Sequence, residues 1–301
     1  MIDSRSLLGA CHFPSAGTAV DLAVSGGPDS VGLLVLARAA DLVVTVHHVD
    51  HHLRPTSGDD ARAVTQLCAD LGVDVVVHDV VVEPGGNLEA RARAARRRVL
   101  PAGVLTGHTR DDLAETLLLN LIRGAGLDGL SPMIGDPTKP LRDVRRRDLH
   151  DLVAASGLRV LHDETNDSAE FRRNRVRAEV IPLLDDVAER DVVEVLARQA
   201  QLIGDERAWL VATHAEDLAL TLDGADCREL RTWEVARLRR WLRARLRHPD
   251  GGDGEHPPSA DEVERAMSVV RGDAVATQIA GGRRLSRSAQ HLTLEEPTPL
   301  R

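Results

Sequence analysis

The run Ser25-Gly26-Gly27-Pro28-Asp29-Ser30 has residue types that suit phosphate chemistry. It lies between an apolar stretch, Ala19 to Val24, and a segment from Val31 to Ala40 with Leu33, Leu34, Leu36 and Ala37 at helical spacing. A glycine turn that leaves a strand and opens a helix points backbone N–H groups, and the positive end of the helix dipole, at one spot. Ser25 and Ser30 add hydroxyls, and Asp29 adds a carboxylate suited to magnesium. No Gly-Lys-Ser or Gly-Lys-Thr follows, so this is not the lysine-bearing phosphate loop.

Three further clusters carry ionisable groups. His48-Val49-Asp50-His51-His52-Leu53-Arg54 follows a second apolar run, Leu42 to His47. The alternative for it is a solvated loop, and zinc lacks a cysteine or a spaced histidine pair to complete a site. In Thr106-Gly107-His108-Thr109-Arg110-Asp111-Asp112-Leu113-Ala114-Glu115-Thr116, Gly107 permits a sharp turn. Asp111 and Asp112 favour a helix start. Asp112 and Glu115 are one turn apart, so either or both can hold magnesium beside a triphosphate. His108 can contact phosphate or move a proton, or merely bond backbone. The fourth cluster joins Asp163-Glu164-Thr165-Asn166-Asp167 to Arg172, Arg173, Arg175 and Arg177. It reads equally as a bidentate phosphate grip or as a solvated helix start.

These clusters need a scaffold. Strands are expected at Ala19–Val24, Leu42–His47, Val73–Val82 and Val104–Thr106. They alternate with helices at 31–40, Asp59–Leu71, Asn87–Leu100 (Asn87 as N-cap) and Asp111–Arg123. This alternation predicts an α/β fold with a parallel sheet covered by helices on both faces. Ligands of such sheets bind at the carboxyl ends of the strands, where Ser25, His48 and Gly107 should converge. Past Leu183 the pattern becomes helical. A long stretch spans about Val187 to Leu220, a helix covers Trp233–Leu246, and His248–Pro258 reads as a loop. Ser259 caps a helix to about Arg271, and a tail of short strands follows at Val275–Ile279, Arg283–Ser286 and His291–Leu294. The expected domains are 1–184, catalytic, and 185–301, a helical linker and substrate-binding domain.

The chain has 301 residues and 43% hydrophobic residues, enough for a core but with no membrane-spanning run. Met1 to Ala10 shows no signal-peptide pattern, and the three cysteines, Cys11, Cys68 and Cys227, are widely separated. A cytoplasmic location is expected. The net charge of −9 argues against nucleic acid until its distribution is seen. Arginines cluster at 91–98, 142–147, 172–177 and 237–247, the last without an acid.

Taken together and in order, these stretches resemble the tRNA(Ile)-lysidine synthase family of PP-loop ATP pyrophosphatases. The likeness covers about Val20 to Leu184 and, more weakly, the helical part through Leu294. It rests on S-G-G-P-D-S, H-V-D-H-H-L-R, N-L-E-A-R-A-R, T-G-H-T-R-D-D-L-A-E-T, L-I-R-G-A-G-L-D-G-L, D-E-T-N and R-N-R-V-R-A-E-V-I-P-L-L. The chain departs from the family at Leu113 (usually Gln), His52 (usually Gly) and Lys139-Pro140-Leu141 (usually Arg-Pro-Leu). The resemblance implies ATP, Mg²⁺, a tRNA(Ile) with a CAU anticodon, and L-lysine. The wobble cytidine is adenylated at its C2 oxygen, and the lysine ε-amine then displaces AMP.

Asp29, His108, Asp112 and Arg175 are the implied catalytic residues. Ser25, Gly26, Gly27, Pro28, Asp29, Ser30 and His48 would hold ATP, with the metal at Asp29 and Asp112. The implied substrate contacts are Asp50, Arg54, Glu89, Arg91, Glu115, Arg123, Arg172 and Arg177, with Arg240 and Arg243 gripping RNA. Assembly stays open, a homodimer included. A thiolase of the same loop would need paired cysteines, and a small-acid synthetase would not need four arginine clusters. A non-catalytic RNA-binding relative would not need Asp29, His108 and Asp112.

Overall fold

The computed structural model describes residues 4–52, 57–82, 88–161, 172–250 and 254–297. It separates into two compact units, Met1–Ala208 and Trp209–Arg301. In the first, α1 (Ser4–Leu8), β1 (Ala19–Ala23), α2 (Pro28–Ala39), β2 (Val43–Asp50), α3 (Ser57–Leu71) and β3 (Asp74–Asp79) alternate. They are followed by α4 (Leu88–Val99), β4 (Leu105–Thr106), α5 (Arg110–Ile122), α6 (Leu127–Leu130) and α7 (Arg146–Ala155). The strands pair in parallel in the order β3-β2-β1-β4. Strand order therefore reverses between β1 and β4, and that is where an open parallel sheet leaves a crevice at its carboxyl edge.

The core follows from the sequence pattern. Leu22, Val24 and Val46 of the sheet region pack with Val31, Leu33 and Leu34 of α2, Val64 and Leu67 of α3, and Leu149, Leu152 and Val153 of α7. Burial of such side chains contributes roughly 1.5–3 kcal/mol each. Helix α2 begins earlier than expected because Pro28 fits its first turn, where a missing N–H costs nothing. Strand β2 runs on to Asp50 because its ladder with β3 continues through Asp50↔Asp79. His48 is consequently inside a strand and not on the loop beyond it.

The rest of the unit is helical: α8 (Arg172–Arg175), a π-helical turn (Val176–Val180), α9 (Ile181–Ala188) and α10 (Val192–Thr213). The π turn, with Ile181 N–H bonded to the Val176 carbonyl, precedes Pro182. Proline has no N–H for the α-helical bond to residue 178, and its ring crowds that carbonyl. The single long helix expected over 187–220 is broken. Glu189 closes α9 in the left-handed region (φ 49°). Asp185 Oδ1 then accepts from Val192 N–H and Asp191 Oδ1 from Val193 N–H, which caps α10.

The second unit contains α11 (Ala215–Ala219), α12 (Cys227–Leu230), α13 (Val235–Arg245), β5 (His248–Asp250), β6 (Gly254–His256) and α14 (Ala260–Arg271). It ends in an antiparallel sheet of β7 (Ala276–Ile279), β8 (Arg283–Ser288) and β9 (His291–Glu295). Its own core joins Leu230, Leu238, Trp241, Leu242 and Met267 to Leu285 and Leu292. Ser259 and Glu262 form the capping box of α14. The segment 248–258, expected as a loop, contains the β5–β6 pair, with His248 opposite His256. The intervening Gly-Gly-Asp is turn composition, which suits a hairpin.

Candidate active site

The crevice is built from two loops. After β1, the Ser25 N–H donates to Ser30 Oγ (3.2 Å), and that hydroxyl donates to the Gly27 carbonyl (2.9 Å). Gly26 has φ +90°, a conformation that suits glycine, and any Cβ there would strike Leu161. The Leu161 N–H in turn donates to the Gly26 carbonyl (2.8 Å). After β4, Gly107 lies against the other loop: a Cβ at this position would stand 2.6 Å from the Asp29 carbonyl oxygen. Close backbone approach, not a positive φ, is what requires glycine at 107.

One residue on, His108 Nδ1 is 2.7 Å from Thr106 Oγ1, which also receives Lys139 Nζ (2.8 Å). Lysine is donor-only, so the Thr106 hydroxyl accepts from Lys139, and its own proton is within reach of the Thr138 carbonyl (3.4 Å) as well as of His108 Nδ1. The contact turns Nδ1 toward Thr106 and leaves Nε2 as the ring's other polar atom. Burial disfavours the charged ring; Asp112 opposes this, Lys139, Arg173 and Arg96 add to it, and the pKa falls to about 4. His108 is therefore neutral near pH 7.

Helix α5 brings the carboxylates. Thr109 caps it, and Asp112 Oδ2 reciprocates by accepting from Thr109 N and Oγ1, both at 2.8 Å. Asp112 Oδ1 accepts from Arg146 Nη2 (2.7 Å) and Arg173 Nη2 (3.2 Å). Glu115 is fully buried, with its oxygens met by Arg146 Nη1 (2.9 Å), Arg173 Nε (2.8 Å) and Arg177 Nε (2.8 Å). Burial alone would raise both pKa values. For Asp112, Arg146 and Arg173 win and hold it at about 2. For Glu115, the Arg177 bond and the Arg146 charge lower it. Buried charges persist only when paired in this way.

Asp29, on the first turn of α2, accepts from His150 Nε2 at 2.8 Å and faces Arg146 Nε at 3.5 Å. Arg145 fixes the start of α7 by bonding Asp111 (3.3 Å), Asp191 and Glu194 (3.2 Å). Beside this network is a cleft of about 380 Å³ whose walls include Glu115, Arg146, Arg147, Arg177 and Asp191.

The structure thus brings Ser25 to Ser30, Asp29, His108, Asp112, Glu115 and Arg177 into one neighbourhood. His48, expected against ATP, is buried on β2, and its Nδ1–H donates to the Val24 carbonyl (2.9 Å), so it braces the exit of β1. Arg175 does not join the crevice. It is exposed and pairs with Glu179 one turn along. Arg173 and Arg177, four apart, share the inward face, and Arg175 points from the opposite one.

Arg172 is exposed, as is Arg123, which caps the C-terminus of α5. Asp50 is buried and accepts from the His52 N–H (2.9 Å). Asp50, His52 and Asp79 place one ligand atom each within 4.8 Å of one another. Arg91 is half-buried on α4. Arg54, the Glu89 side chain, Asn87 and the Asp163–Asp167 stretch lie outside the described residues.

Arg240 and Arg243 lie on α13 in the second unit, three apart and half-buried. Their cluster is not wholly unpaired, since Arg237 pairs with Asp217 and stacks on Trp233, and Arg239 pairs with Glu264. Sequence reasoning did not place Arg146, Arg173 or His150 in the site. Arg173 was accessible from its spacing to Arg177, whereas His150 and Arg146 needed the packing of α7 to bring them to Asp29.

Comparison with known proteins agrees with this geometry. The PP-loop domain family profile matches residues 5–184. A tRNA(Ile)-lysidine synthase of Nocardia farcinica is 40% identical over 246 residues, covering 78% of this chain and 77% of that protein. One from Salinispora arenicola is 35% identical and covers 95% of this chain and 93% of its own. In fold, the chain is similar to a U34-tRNA thiolase of Methanococcus maripaludis (TM-score 0.53, 16% identity, 67% of this chain and 77% of that one). This chain belongs to the tRNA(Ile)-lysidine synthase family and carries its PP-loop domain.

Proposed function

We propose that the chain is an ATP-dependent ligase that joins L-lysine to C2 of the wobble cytidine in a tRNA(Ile) with a CAU anticodon. The observation that carries this reading is the abutment of the glycine loop and the His108 loop at the strand-order reversal, with paired buried carboxylates directly behind. In the first step the cytidine C2 oxygen attacks the ATP α-phosphate and pyrophosphate leaves. In the second the lysine ε-amine attacks C2, loses a proton, and AMP departs with the oxygen.

The chain's own groups suit the charges involved. Backbone N–H groups of Gly26, Gly27, Asp29 and Ser30 and the α2 dipole would receive the leaving pyrophosphate, which removes the need for a loop lysine. In its Nε2–H tautomer the neutral His108 would donate to developing charge at the phosphate or the cytidine oxygen, at no cost in protonation. The substrate ε-amine meets carboxylates that arginines already neutralise, so the site does not retain it as a tight ammonium pair.

Magnesium fits Asp29, which is about one-third exposed and held loosely by Arg146. It fits Asp112 less well, because all of that carboxylate's bonds in the structure go to Thr109 and arginines. When bound, the metal would neutralise phosphate charge. Arg240 and Arg243 would contact the RNA backbone. We place the reaction in the cytoplasm. Among the described residues no helix is long and apolar enough to cross a membrane.

Pyrophosphate release and incorporation of labelled lysine, each with and without that tRNA, test the reading. A thiolase reading has no support here: Cys11 and Cys68 are unpaired, and burial pushes their thiols up to about 12 and about 11.

A further inference from the structure

Among the described residues, only Arg146 reaches all three carboxylates of the crevice. It stands at the first position of α7, whose Leu149, Leu152 and Val153 are locked in the sheet core, so the guanidinium is delivered from a rigid element. Its contacts are unequal. Nη2 and Nη1 make short bonds to Asp112 (2.7 Å) and Glu115 (2.9 Å). Nε is buried, has no hydrogen-bond partner, and faces Asp29 Oδ2 at 3.5 Å. Asp29 Oδ1 is held separately by His150 (2.8 Å). The fork is thus committed to α5, and its third side presents charge without a bond to the one carboxylate of the three that is substantially exposed.

We propose that Arg146 is a positioning residue that competes with the divalent cation for Asp29. Its charge lowers the affinity of the crevice for a lone cation and makes firm metal binding depend on the nucleotide phosphates arriving with it. This rests on the assignment of Asp29 to the metal under the proposed function. The physical basis is that two cations on one carboxylate repel, whereas added phosphate charge reverses the balance. A guanidinium fixed by two short bonds cannot swing away to make room, so the metal gains access to Asp29 only at the loosely held Oδ2 edge.

The test is Mn²⁺ binding to the full chain without nucleotide, followed by the EPR signal of free Mn²⁺. The variants are Arg146→Gln, Arg146→Lys, Asp29→Asn and the double variant Arg146→Gln/Asp29→Asn. Removing one unit charge a few ångströms from the carboxylate should tighten Mn²⁺ binding on the order of tenfold in Arg146→Gln. Arg146→Lys, whose single ammonium settles on one carboxylate, should give a smaller gain, and it serves if the Gln variant does not fold. Asp29→Asn should weaken binding, and the double variant should lose the gain.

Unchanged or weaker Mn²⁺ binding in both Arg146 variants, with Asp29→Asn still weakening it, overturns the competition alone. A gain that persists in the double variant overturns the assignment of the metal to Asp29. A merely structural Arg146 would lower thermal stability without tightening metal binding.

Discussion

His108 shows how far neighbours can move a single residue. Its type and position before a helix marked it as a phosphate or proton group, but its charge state depends on its burial and on Asp112, Lys139 and Arg173, which no local pattern joins. With a folded pKa of about 4 against an ordinary 6.5, the unfolded chain binds the proton more readily. The His108 contribution to stability therefore falls as pH drops from about 6.5 to about 4, by an amount on the order of 3 kcal/mol, and is itself level on either side of that window. An NMR titration of the free protein should give a midpoint near 4, and a midpoint at 6 or above would contradict the buried donor. Asp112 acts at lower pH: its contribution is full above 3.8 and is lost as pH falls toward about 2. The arginines separate in the same way. Arg173→Ala removes one of the three arginines on a fully buried Glu115 and should cost about 1.5–3 kcal/mol in denaturant unfolding, whereas Arg175→Ala, on an exposed pair, should leave the unfolding midpoint unmoved. The four-residue spacing of Arg173 and Arg177 carried the inward face, but it was not read from the sequence, which left Arg173 out of the site. The family motif alone favoured Arg175, because a motif records residue types and not the direction in which a helix turns them.

At the level of elements, the strand–helix alternation was plain because apolar runs and caps agreed with one another. What escaped was where ladders and helices stop. Strand β2 outlasts its apolar run because its partner β3 continues to Asp79, and the long helix breaks at Glu189 because Asp185 and Asp191 can cap a new start. Pro182 was visible in the sequence, yet a proline can end, kink or widen a helix, and the sequence does not choose the π turn that carries Arg177. The contact between the two site loops gives a direct prediction. Gly107→Ala places a methyl against backbone at 2.6 Å, which cannot yield as a side chain would. It should destabilise by about 1–3 kcal/mol and weaken ATP binding measured by calorimetry. Gly9→Ala, with nothing within 4 Å, should change neither.

At the scale of the whole molecule, a net charge of −9 conceals a division of labour among arginines. Those at 146, 173 and 177 are consumed by buried acids in the first unit, and Arg145 by the half-buried Asp111 and Asp191. On α13, Arg237 and Arg239 are likewise paired, while Arg240 and Arg243 have no acidic partner among the described residues. Sequence could count these charges but not pair them; Arg240 and Arg243, the two expected on RNA, are among the arginines that keep no acidic partner in the described residues. If both meet phosphates, Arg240→Gln/Arg243→Gln should reduce the slope of log affinity for tRNA against log salt by about 2, with ATP binding unchanged. An unaltered slope would remove α13 from the RNA interface. The central claim is tested most directly by pyrophosphate release measured with ATP, lysine and the CAU-anticodon tRNA(Ile), each omitted in turn. The account predicts release that requires the tRNA but not lysine, and lysine incorporation that requires all three. Release that proceeds equally without the tRNA would contradict it.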